Sequence, residues 1–243
     1  MKISLFSMLI AIVTVAVVGS ASAARAAPTD EQKCLSKRQK VIAKHQQCQQ
    51  RHLTKYYLMA DFAKFDKTNR KCTVKFAKAW EGLQKIPVAP CNLARFVDNG
   101  DGTVTDNLSG LVWEKKDDLG GIQDKDNIYT WSTGSPYVED GTAFTTFLAG
   151  LNAGGGFAGA NGWRLPTWIE LAGIRDLDSK ALTCVGDPCI RVEFGPTAPF
   201  VHWSSTPLAD PPFFAWLVGF IGGSVIEGSK GGAAYVRAVR GGL

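Results

Sequence analysis

Beyond residue 18 the chain lacks any apolar run approaching the ~20 residues of a membrane-spanning helix, so no later segment is expected to cross a bilayer. Histidine is scarce: of the three, only His202 lies beyond residue 52. Neither a Ser-His-Asp nor a Cys-His pairing is supported, and catalysis is not the expectation. The Gly-rich stretch 154–162 is not followed by Lys-Ser or Lys-Thr, and no βα pattern precedes it. That excludes a P-loop and a Rossmann nucleotide site. No cysteine directly follows the N-terminal apolar run, so a bacterial lipid anchor is not indicated. Residues 29–86 hold no proline and one glycine, Gly82, so little in them breaks a helix.

What is present begins with Met1-Lys2, an apolar run from Ile3 to Val18, and a small-residue stretch ending at Ala23. These are the parts of a secretory signal peptide, residues 1–23, which places the protein in the periplasm or outside the cell with no membrane span after cleavage. Six cysteines follow: Cys34, Cys48, Cys72, Cys91, Cys184 and Cys189. An even number in an exported chain predicts disulfides. Cys184 and Cys189 share a short Gly-Asp-Pro loop and are paired with each other. The other four pair among themselves. Charge is split as well: residues 24–91 carry 15 Lys/Arg against 5 Asp/Glu, and residues 92–243 carry 11 against 17. Two modules with different surfaces are expected, 24–91 and 92–243.

In the first module Cys72, Phe76, Ala79, Trp80 and Leu83 form a helical stripe, and Cys34, Val41 and Cys48 recur every seven residues. Two helices are predicted, about 30–58 and 69–85, folded as a hairpin and stapled by nested bridges Cys48–Cys72 and Cys34–Cys91. That nesting centres the turn near residue 60, whereas the best local turn signal, Asp66–Asn69, lies later. His45, Cys48 and His52 share a helical face with metal-ligand spacing. The competing reading, an oxidised Cys48 between two solvated histidines, is preferred in an exported chain. The lysines make the hairpin a candidate for polyanions such as sulfated glycans. The alternatives are a solvated face without a partner and docking onto the acidic module. No specific nucleic-acid recognition is expected.

In the second module, Phe96-Val97 and Thr103–Thr105 read as strands around an Asn-Gly-Asp-Gly turn, with Leu111–Trp113 after a second turn. An EF-hand beginning at Asp98 fails, because Gly100 and Gly102 stand where oxygen ligands belong at the third and fifth positions and Ser109 stands where the twelfth needs Glu. Calcium held otherwise by Asp98, Asp101 and Asp106 competes with plain turn formation. Apart from that calcium, no cofactor is expected. Residues 115–140 read as a polar surface loop around Ile128–Trp131, Thr142–Asn152 as a helix, and 154–162 as a flexible lead-in. The lead-in ends at NGWRLPTWIEL (161–171). There Pro166 keeps the chain extended, and Thr167 with Glu170 has capping-box spacing for a helix from Trp168 to about Arg175. Arg164 is expected to form a buried ion pair with an acidic neighbour. A strand at 214–221, a Gly222-Gly223 turn and a return strand follow. The last strand, Tyr235–Arg240, alternates and places arginine on both faces, so at least one is expected to meet a carboxylate.

Three stretches carry a resemblance: FVDNGDGTVTDNLSGLVW (96–113), GWRLPTWIEL (162–171), and WSS (203–205) with YVRAVRGG (235–242). Together they resemble the C-terminal domain family of the Lcl collagen-like bacterial adhesin, across about residues 92–243. The resemblance implies a C-type lectin-like fold whose first and last strands pair, here those at Phe96 and Val236. The expected architecture is therefore α+β: a small twisted antiparallel sheet with a loop-rich lobe, preceded by the hairpin. GWRLPT and VRGG are also similar to segments of formylglycine-generating enzymes. Those use a cysteine pair after the RGG segment, whereas Cys184 and Cys189 precede it. Neither Glu-Pro-Asn nor Gln-Pro-Asp occurs, so the calcium-dependent sugar site of C-type lectins is not implied.

The expected function is a non-catalytic binding or adhesion module for a glycan or a protein of the envelope or host surface. Polyanion binding by the hairpin is the alternative, and an oxidoreductase the least favoured. Trp113, Trp131, Trp203 and Arg164 are candidate ligand contacts, with core packing the competing reading of the tryptophans. The sequence sets no oligomeric state.

Overall fold

The computed structural model describes residues 27–59, 62–178 and 180–241. The leader assigned to residues 1–23 lies outside the described residues. Helix α1 runs Asp30–Met59 and α2 runs Phe62–Gln84. Thr29 and Gln32 start α1 with reciprocal bonds: the Thr29 N–H donates to Gln32 Oε1 at 2.9 Å, and the Gln32 N–H donates to Thr29 Oγ1 at 3.2 Å. Asp30 and Glu31 then occupy the first turn, where the helix dipole favours anions.

The nested bridges form as expected, Cys34–Cys91 and Cys48–Cys72, with Cα atoms 5.7 and 6.0 Å apart. Helix α1 ends at Met59 and α2 begins at Phe62, on either side of the position near residue 60 that the nesting requires. The local signal at Asp66–Asn69 is overridden and lies inside α2. Asp66 is held there by Arg70 one turn on, at 2.8 Å, and Asn69 is fully buried. Tertiary contacts outweigh a weak turn propensity.

The remaining chain forms two sheets and short helices. In one sheet the order is β1 (Phe96–Asp98), β2 (Thr103–Asp106), β3 (Leu111–Glu114) and β9 (Val239–Gly241), all antiparallel. In the other it is β4 (Ile128–Thr130), β8 (Ala233–Tyr235), β5 (Val201–Pro207), β6 (Phe214–Gly219) and β7 (Val225–Ser229). Only β5–β8 is parallel, through one residue pair. The expected two-residue Gly222-Gly223 hairpin is corrected: the β6–β7 ladder closes with the Gly219 N–H donating to Ser224 O at 2.8 Å, which leaves a four-residue loop, 220–223, in which Gly222 and Gly223 take left-handed φ of 62° and 66°.

Two expectations about the strands are corrected. Tyr235–Arg240 is not one alternating strand: β8 ends in one sheet, β9 begins in the other, and Val236, Arg237 and Ala238 between them are all buried. Alternation fails because protein covers both faces. The last strand also pairs with β3, while β1 lies at the opposite edge.

The polar loop 115–140 contains β4 and buries Lys116, Asp124, Trp131 and Ser132. The helix expected at Thr142–Asn152 is a π-helical turn, Ala143–Leu148, continued as α3 (Ala149–Leu151). Helix α4 spans Trp168–Gly173, two residues shorter than read from sequence.

One hydrophobic core joins Phe96, Trp113, Trp168, Phe194 and Trp216 to Phe65 of α2, with Leu53 of α1 packed against it. A second collects Trp131, Phe147, Trp163, Trp203 and Val236. A smaller one sets Leu108 against Phe76 and Trp80 of α2. The hairpin is thus docked on the second module and shares its core. Phe65→Ala should cost about 3–5 kcal/mol and leave one cooperative transition, followed by urea unfolding with circular dichroism and tryptophan fluorescence together. A loss below about 1 kcal/mol, or a hairpin that melts separately, would contradict shared packing.

Candidate functional site

The distinctive stretch 161–171 is chiefly an architectural joint. Thr167 and Glu170 form the predicted capping box, with Glu170 Oε2 accepting from the Thr167 N–H at 2.7 Å. Arg164 donates to both oxygens of Glu170, at 2.8 and 2.7 Å. Burial would raise the Glu170 carboxyl, but the Arg164 guanidinium and the Thr167 N–H outweigh it and hold it below the usual range. This pair is not sealed as expected, because 42% of the Arg164 side chain is exposed. The lead-in is tied rather than loose: Asn152 bonds both backbone groups of Trp163, whose indole N–H donates to Ala160 O at 2.8 Å.

Trp113, Trp131 and Trp203 do not form a stacking surface. They are 0, 2 and 1% exposed. The Trp131 indole donates to Ser204 O at 3.0 Å and that of Trp203 to Tyr129 O at 2.9 Å. Core packing is what these residues do.

The three aspartates raised for calcium do not converge. Asp98 pairs with Lys115 at 2.5 Å, Asp101 accepts from the Thr103 N–H and hydroxyl, and Asp106 accepts a two-point contact from Arg95 at 3.1 Å. Among the described residues, the acidic side chains that do come together are Asp118, Asp124 and Asp126, a trio the sequence reading missed. Lys125 already bridges Asp118 and Asp126.

The His45–Cys48–His52 face is not a ligand set, since Cys48 is oxidised onto Cys72. His45 is buried edge-on against Phe76. Burial, reinforced by the nearby Arg95 charge, drops its pKa to about 4. His202 is also sealed, between Phe220 and Tyr235, and burial holds its pKa well below the ordinary value. The third bridge, Cys184–Cys189, closes its loop as expected.

Arg237 does not meet a carboxylate as expected. Fully buried, it donates to Glu114 O at 2.7 Å, Phe194 O at 3.1 Å and Thr197 Oγ1 at 2.7 Å. Arg240 lies over the Trp163 ring, 5.4 Å from its centre.

What remains outward is basic. Lys33, Lys37, Lys40, Lys44 and Arg51 recur at helical spacing on α1, as do Lys64, Lys67, Lys71, Lys75 and Lys78 on α2, and all are exposed. The other sides of the helices carry the bridges and the contacts to the second module. Arg38 donates to Pro90 O and Asn107, and Arg70 to Leu182 O and Gly223 O. The carboxylate of Asp66 also turns inward, to Arg175 at 3.0 Å. The stripe spacing was present in the sequence and could have been found there; summed charge concealed it.

Between α1, the β2–β3 turn and the start of α4 lies a cavity of about 410 Å³, lined by both modules. The match to the Lcl C-terminal domain covers residues 102–240. The chain belongs to that family. The Lcl C-terminal match begins at the β1–β2 turn and ends in β9, so the hairpin that fills part of its core lies outside it. No curated protein matches the chain.

The histidines set an acid limit on stability. Unfolded His45 titrates near 6.5 and folded His45 near 4, so its stabilising contribution is complete above 6.5 and is lost as pH falls through 4. His202 acts in the same direction. His45 alone should account for roughly 3 kcal/mol. Urea titrations between those pH values should show stability falling with acid, and His45→Gln should flatten the slope; an equal slope in the variant would discount His45.

Proposed function

We propose that this protein is an exported, non-catalytic binding module of the bacterial envelope or extracellular space, and that its hairpin engages polyanionic glycan. The lysine face carries this reading. Two antiparallel helices present ten exposed cations at helical spacing. Such a face concentrates anions and gives salt-sensitive attachment.

Membership of the Lcl C-terminal family supports an adhesion-type role for the second module. A C-type lectin-like arrangement is the reading we favour for it, supported by the short antiparallel sheet that joins its early strands to its last. Three disulfides suit an oxidising compartment, and no helix among the described residues is long and apolar enough to cross a membrane. The non-catalytic reading draws support from groups already committed to architecture: His202 walled in by aromatic rings, and cysteines joined in pairs.

The intact exported chain should be retained on immobilised heparin at low salt and released as salt rises. Lys71→Glu, Lys75→Glu and Lys78→Glu together should abolish retention while the thermal midpoint stays within a few degrees. Passage of the unmodified chain straight through the column would refute the assignment. Equal retention of the triple variant would refute it too.

A further inference from the structure

We propose that the cavity between α1 and the Lcl C-terminal domain is a second binding site, specific for an uncharged saccharide. This site is independent of the lysine face. Its volume, about 410 Å³, lies within the range of small-molecule sites.

Its polar lining comes from separate parts of the chain. Gln46, Gln49 and Gln50 contribute carboxamides from α1, and Ser109, Thr167 and Thr206 contribute hydroxyls from the domain. Carboxamides and hydroxyls both donate and accept, which suits the mixed character of sugar hydroxyls. Gln49 has a slack partner, Asn69 at 3.4 Å, and Gln46 and Gln50 reach solvent. Leu53 and Ile169 supply an apolar wall of the kind that covers the C–H face of a pyranose.

Charge decides the ligand class. The ionised groups at the cavity are neutralised in pairs, Arg95 by Asp106 and Glu170 by Arg164. His45 is neutral near pH 7, because its pKa is about 4. A phosphate or sulfate would meet no uncommitted cation here, and a cation no uncommitted carboxylate.

The test uses the intact exported chain with glucose, galactose, mannose, N-acetylglucosamine and cellobiose, in the presence of a calcium chelator. Titration calorimetry and tryptophan fluorescence should detect saturable binding of at least one of them. The bound sugar should raise the thermal midpoint, since it bridges hairpin and domain. Gln49→Ala with Gln50→Ala should weaken binding by at least ~10-fold with the thermal midpoint of the free protein preserved. Glucose 6-phosphate should bind more weakly than glucose. Absence of saturable binding across the panel would overturn the proposal, as would affinity unchanged in the double variant or a preference for the phosphorylated sugar. The lysine variants should leave sugar binding intact and the glutamine variants should leave heparin retention intact, so the two sites fail separately.

Discussion

Where the chain passes from β8 to β9, the guanidinium of Arg237 is placed in the middle of the molecule with no exposure to water. Desolvating a charge costs several kcal/mol unless its hydrogen bonds are replaced. Burial lowers the Arg237 pKa to about 10, so it stays charged at neutral pH. Its bonds go to carbonyls of Glu114 and Phe194 and to the Thr197 hydroxyl, which belong to different segments. The Glu114 carboxylate meanwhile accepts the Ala238 N–H at 2.9 Å and lies 2.8 Å from the Lys116 ammonium, an ionic contact without hydrogen-bond alignment. These demands fix where β3, the 194–197 segment and the crossing meet. With the crossing fixed, Val236 and Ala238 enter one core and Val239 the other.

A second constraint seats the hairpin. Arg175 has no exposed side-chain surface, and Asp66 of α2 is its carboxylate partner. Burial lowers the Arg175 pKa to about 10, with Asp66 opposing the shift. The contact runs against the gross charge of the modules, because the basic hairpin contributes the acid and the acidic domain the base. Docking therefore leaves the lysine stripes facing outward. The same docking closes the cavity beside α1, so both proposed binding surfaces depend on a segment outside the matched family domain.

Local signals were legible where a few neighbouring residues settle the matter. The capping box at Thr167–Glu170, the position of the Gly222-Gly223 turn and the two hairpin helices are decided by hydrogen bonds and side-chain spacing within about ten residues. The nested bridges were legible because an antiparallel hairpin leaves few geometries for four cysteines. The site was much less so. Trp113, Trp131 and Trp203 look alike in sequence whether they stack on a sugar or fill a core, and Arg164 gives no sign of how deeply its ion pair sits. The convergence of Asp118, Asp124 and Asp126 depends on how their loop folds back, which spacing alone does not specify.

By itself the sequence determined the helical hairpin, its disulfide staples, the α+β class, the family and the entry to α4, because each follows from local propensity, periodicity or a distinctive motif. Only the tertiary structure decided that Asp66–Asn69 would be helix, that Tyr235–Arg240 would divide between two sheets, and which cations would stay outward. Those outcomes turn on desolvation and packing between residues far apart in the chain: the partner that makes a buried charge or an aromatic ring affordable, Asp66 for Arg175 or Phe65 for Trp168, is identified only when the chain is folded.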